Sequence, residues 1–141
     1  MFKKFFEKKN EENINNKNIS ITALLIHAAK IDDNYTDVEK KIIKKALISL
    51  NAITPNEAEE LLKKAEKIEQ ESNQIVAFTK QIKKNSMEFR HKIIEILWKI
   101  VYSDGSSDSY ESNLIRRVCG LLYVSDRDSG MIKLKVQHSL E

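Results

Sequence analysis

Two short stretches of this chain gather oxygen ligands. Asp32, Asn34 and Thr36 carry side-chain oxygens at alternate positions, and Asp104, Ser106 and Asp108 repeat the arrangement. Carboxylate, amide and hydroxyl oxygens in a loop, together with unpaired carbonyls at helix ends, suit a hard cation such as calcium or magnesium. Zinc ranks behind both, because neither stretch contains the His or Cys of its usual sites. Glu39 and Glu111 occupy the eighth position when Asp32 and Asp104 are counted as first, and they would close such a site.

The same residues also have an explanation that needs no ligand. Thr36 with Glu39 and Asp108 with Glu111 have capping-box spacing, in which a side-chain oxygen accepts from the amide three residues on and the carboxylate there reaches back. Such a cap contributes ~1 kcal/mol, enough to account for the residues that make it. Asp32, Asp33 and Asp104 are not caps. They follow the C-terminal ends of their helices, where free carbonyls already carry partial negative charge and a carboxylate is disfavoured. The candidate metal ligands are therefore Asp32, Glu39, Asp104, Asp108 and Glu111, and Asp32 and Asp104 are the informative pair. Each stretch resembles the opening of a calcium-binding EF-hand loop and then departs from it. The sixth positions are Asp37 and Ser109 rather than Gly, and the twelfth are Ile43 and Ile115 rather than Glu.

Other chemistries find less support. No nucleophile stands with a base and an orienting partner, so an enzyme is not expected. His27 and His91 fall on helices as surface or boundary residues, and His138 lies in the tail. Cys119, the only cysteine, sits at helical spacing among apolar residues and reads as a small core filler. The net charge of +3 is small and its signs are interleaved, which gives no one-sign field for nucleic acid. The run Lys40 to Lys45 reads as a solvated face around Ile42 and Ile43.

The elements that position these stretches are helices. At 141 residues, 41% hydrophobic and 32% charged, the chain has the size and composition of one globular domain. It has one proline and three glycines, and its apolar residues recur every three or four positions, which indicates an all-α fold with short connections. Ile21, Leu24, Leu25 and Ala28 form one stripe; Ile42, Ile43, Ala46, Leu47 and Leu50 a second; Ala58, Leu61, Leu62, Ala65 and Ile68 a third. Phe89 to Val101 is apolar on nearly every side, so it is expected at the centre. Capping boxes at Thr36, Thr54, Asp108 and Ser125 mark helix starts, with Pro55 at the favoured first helical position.

The chain also matches itself. "LLIHAAKIDDNYTDVEKKII" falls on "ILWKIVYSDGSSDSYESNLI" without a gap, which pairs Leu25 with Leu97, Asp32 with Asp104, Glu39 with Glu111 and Ile43 with Ile115. Two pseudo-symmetric halves are expected, each with an apolar helix, an acidic loop, a capped helix and a third helix. A further helix lies between them within Glu71 to Lys84, using Ile75, Val76, Phe78, Thr79 and Ile82. Residues 1–17 read as an aromatic and basic segment, with Phe2, Phe5 and Phe6, followed by a flexible linker; the folded domain is expected over residues 18–139. Leu140 and Glu141 match a vector-derived tag junction. No apolar run approaches the ~20 residues of a membrane span and no signal-peptide pattern occurs, so stable membrane insertion is not expected and the expected location is the cytoplasm.

The run "AAKIDDNYTDVEKKII", echoed by "VYSDGSSDSYESNLIRRV", resembles the tellurite-resistance protein B (TerB) family over roughly Ile19 to Val136. The more typical family loop begins Ala-x-x-Asp-Gly; Ala29 and Asp32 keep part of it here, and Asp104 with Gly105 keep another part. The resemblance implies a single-domain bundle of about seven helices whose acidic cluster binds divalent metal and which acts in stress responses through protein partners. Carried onto this chain, the matching positions are Asp32, Glu39, Asp104, Asp108 and Glu111. The competing expectation is a structural interaction domain without metal, in which the acidic loops only cap helices.

Overall fold

The computed structural model describes residues 17–31, 35–51, 53–71, 75–104 and 109–139, with the side chains at 104 and 109–111 outside that description. Seven α-helices run through the described residues, and no strand occurs among them. They are α1 (17–30), α2 (Asp37–Asn51), α3 (Pro55–Glu71), α4 (Ile75–Ile82), α5 (Met87–Val101), α6 (Ser109–Leu121) and α7 (Asp126–Ser139), with a 3-10 turn at Tyr102–Asp104. The order is three helices, one between, and three more. At paired positions of the internal match, Leu25 and Leu97 are both fully buried, as are Ile43 and Ile115.

Helix α5 takes the central place that its composition predicts. Ile93, Ile94, Ile96, Leu97, Trp98, Ile100 and Val101 are all buried, and α2, α6 and α7 pack against it. Each large side chain taken fully from water contributes roughly 1.5–3 kcal/mol. Helix α1 is enclosed just as thoroughly, which its sequence stripe does not foretell: residues 21–26 are buried without a break. Thr22 is tolerated there because its hydroxyl donates to the carbonyl of Asn18 at 2.6 Å. Ala23, Ala28 and Ala29 are small enough for other elements to approach closely.

Helix α7 is joined to α5 by polar contacts as well as by apolar burial. The Trp98 indole donates to Ser129 Oγ at 3.2 Å, Trp98 stacks on Tyr102 with centroids 5.9 Å apart, and Gln137 donates to the Tyr102 hydroxyl at 2.8 Å. Cys119 is buried as the sequence indicates, and burial pushes its thiol pKa up. In α4, Ile75, Phe78, Thr79 and Ile82 are buried, but Val76 is 53% exposed, so the expected fifth core residue faces water.

The helix starts follow the caps. Glu57 N donates to Thr54 Oγ1 at 3.2 Å and Asp128 N to Ser125 Oγ at 3.1 Å. The Asp128 carboxylate faces His91 Nε2 at 3.5 Å. A further N-cap, Ser86, accepts from Phe89 N at 3.2 Å. Helix α6 stops in a Schellman motif: Val124 N donates to Cys119 O at 2.9 Å and Tyr123 N to Gly120 O at 3.4 Å. This motif requires a left-handed residue after the helix, and that residue is Tyr123, with φ 57° and 68% exposure. An L side chain is strained there, and exposure leaves it little packing to offset the strain. Tyr123→Gly is therefore expected to raise stability by roughly 0.5–1 kcal/mol, read as a higher urea midpoint. A lower midpoint would show that the phenol ring makes a stabilising contact.

Candidate functional site

The first acidic stretch leaves α1 and enters α2, and both of its shoulders are fixed on α3 or at the start of α2. On α3, Ala58, Leu62, Ala65 and Glu69 form one buried line, so a carboxylate sits where the periodicity calls for an apolar residue. Glu69 is 6% exposed. Lys30 Nζ donates to its Oε2 at 2.8 Å, and His27 Nδ1 lies 3.2 Å from its Oε1. A carboxylate this far from water requires such partners. Glu66, one turn earlier on α3, accepts from the Tyr35 hydroxyl at 3.0 Å.

Thr36 and Glu39 make both halves of a capping box. Thr36 N and Oγ1 donate to Glu39 Oε1 at 2.9 and 3.0 Å, and Glu39 N donates to Thr36 Oγ1 at 3.2 Å. Lys40 Nζ lies 4.9 Å from the centre of the Tyr35 ring. Burial pushes the Tyr35 phenol pKa up, and the hydrogen bond to Glu66 and the negative charges of Glu66, Glu39 and Glu69 push it further. Three carboxylates thus act on one hydroxyl beside the first acidic stretch.

Of the five predicted ligands, Glu39 alone has a described side chain, buried and engaged in the cap. Asp32 and Asp108 lie outside the described residues. Asp104 ends the 3-10 turn and Glu111 falls in the first turn of α6, with both side chains outside the description. Among the described residues no three His, Cys, Asp or Glu side chains are arranged to hold a metal ion. Sequence reasoning missed His27, Lys30, Tyr35, Glu66 and Glu69. The signal that could have found Glu69 is its register, in line with Ala58, Leu62 and Ala65.

An all-helical bundle whose sequence carries a short acidic stretch between α1 and α2 defines the class, and the comparisons give it a family. The family model described as tellurite resistance protein TerB matches residues 18–134, and the chain belongs to that family. Comparisons with curated proteins and with solved structures gave no match. Among the described residues no helix is long and apolar enough to cross a membrane.

Two outcomes follow from the network. Glu69→Gln is expected to lower stability by roughly 1–2 kcal/mol, less than for a fully buried pair because Lys30 is 30% exposed; urea unfolding measures it, and an unchanged midpoint would deny the pairing its structural role. The second concerns alkaline pH. With its folded pKa raised, Tyr35 keeps its proton in the folded state while the unfolded chain releases it above about pH 10, so stability falls as pH rises past that point. Tyr35→Phe should remove up to about 1.4 kcal/mol per pH unit of that slope, and equal slopes for the two proteins would contradict the assignment.

Proposed function

We propose that this TerB-family chain is a cytoplasmic stress-response adaptor that acts through protein partners and binds a divalent cation at its acidic stretches, calcium or magnesium ahead of zinc. Asp32 and Asp104 are the principal ligands in this reading, with Glu39, Asp108 and Glu111 as further contributors. The observation that carries it is the pair of carboxylates fixed next to the first acidic stretch: Glu66, which accepts from the Tyr35 hydroxyl at 3.0 Å, and Glu39, buried in the cap at Thr36. Asp32 and Asp33 lie two or three residues from Tyr35 in sequence. A divalent cation would supply positive charge to this locality, and the oxygen-only donor set suits a hard ion. No catalytic role is assigned to any residue.

The capping box favours a second reading. Glu39 Oε1 already accepts from two Thr36 donors, which is what a structural interaction domain without metal would need of this residue. Thermal melts in calcium, magnesium or EDTA, on the wild type and on Asp32→Asn combined with Asp104→Asn, separate the two. A cation at a hundred times its dissociation constant should stabilise the wild type by ~2.7 kcal/mol and leave the double variant unchanged. Identical melts for both proteins in all three solutions would overturn the cation reading and leave the structural one.

A further inference from the structure

The apolar stripe of α2 is wider than the fold covers. Ile43 and Leu47 are buried, whereas Ile42, Ala46 and Leu50, which the sequence assigns to the same stripe, are only half-covered, and Val38 is 57% exposed. Val38, Ile42, Ala46 and Leu50 form one wall of a groove of about 660 Å³ whose other wall is Ile96 of α5 and Tyr102 of the 3-10 turn after it. Along α2 the lining runs from Val38 to Leu50, a length of about 18 Å at ~1.5 Å per residue. About three turns of a guest helix would fill it.

The charges along the groove restrict the guest. Lys45 on α2 and Lys92 and Lys99 on α5 lie along it, with Glu95 between the latter two. Lys92 and Lys99 sit 4.0 and 3.7 Å from the exposed or half-exposed carboxylates of Glu88 and Glu95, surface pairs that a guest could replace at small cost. Lysines on both walls and two turns apart suit acids repeated along a peptide. A fatty acid would need a cation at one end only, and a membrane surface would need a convex face. The chain's own segment 1–16 fits less well: its aromatic residues Phe2, Phe5 and Phe6 are flanked by Lys3, Lys4, Lys8 and Lys9, which would meet a lysine rim, while two of its three acids, Glu11 and Glu12, lie beyond them.

We propose that the groove between α2 and α5 is the partner-docking surface, and that it takes an amphipathic helix of a protein partner with an apolar stripe flanked by Asp or Glu. This rests on the adaptor half of the reading above and is independent of its cation half. Complementary charge would set the orientation and speed of docking, and the half-covered α2 stripe would supply the apolar contact.

The test uses the full chain and two labelled designed helical peptides of about fourteen residues with the same leucine stripe, one flanked by Glu and the other by Lys. Fluorescence anisotropy should show the Glu peptide binding at least about tenfold more tightly, with affinity falling as salt rises. Val38→Glu combined with Lys45→Glu, two exposed changes that should leave the melting temperature near that of wild type, should weaken it at least about tenfold. Deleting residues 1–16 should leave the affinity unchanged. Equal binding of the two peptides, no binding of either, an unaffected double variant, or binding only to phosphatidylglycerol vesicles would each overturn the proposal. So would a tenfold gain on deletion, which would make the N-terminal segment the occupant. Capture from a lysate of the source cells separates this failure from that of the adaptor reading. Partners held equally by wild type and double variant would move the docking surface elsewhere and leave the adaptor standing, whereas no specific partner on wild type in calcium or magnesium would remove the adaptor itself.

Discussion

A helix that carries bulky apolar residues on more than one face has to be enclosed on each of them, and α5 imposes that constraint on the rest of the chain. Seven of its fifteen residues are buried, on more than one face, so neighbours must approach from several directions. Helices α2, α6 and α7 do so. Because α7 has little apolar periodicity of its own, polar contacts to α5 and the turn after it help to hold it: the Trp98 indole donates to Ser129, Gln137 donates to the Tyr102 hydroxyl, and the Lys133 Nζ lies 5.2 Å from the Trp98 ring centre. The enclosure is complete on the core side and incomplete beside α2, which is why a groove remains there.

The buried carboxylate of Glu69 is the polar counterpart of that constraint. Its burial is tolerable only with Lys30 and His27 in place, so it holds the end of α1 to α3. Tyr35 and Glu66 do the same for the chain just before α2. Lys30 and Tyr35, on either side of the first acidic stretch in sequence, are thus both bonded to α3.

Much of the fold was legible in the sequence because helical periodicity and capping are local. Thr36, Thr54, Ser125 and the stripe of α5 could be read from spacing alone, and each is found where spacing puts it. What escaped depends on tertiary context. Thr22 looks like a polar break in α1 until its hydroxyl turns to Asn18 O. Tyr123 gives no sign of a left-handed conformation, since glycine is the usual mark of one. Val76 and Ile42 are apolar in sequence whether or not another element covers them. The candidate site divides the same way: the Thr36–Glu39 box was readable, whereas Glu66 and Glu69 acquire their roles only through residues roughly thirty to forty positions away.

The Trp98 contact has an optical consequence. The chain contains one tryptophan, 6% exposed, with its indole N–H committed to Ser129 on α7 and its ring in contact with Tyr102 and Lys133. Its ultraviolet emission therefore comes from a single environment, shielded from water and built jointly by α5 and α7. Any event that lifts the last helix from the bundle would shift that colour toward the red, giving the protein a built-in gauge of the closure of its C-terminal half.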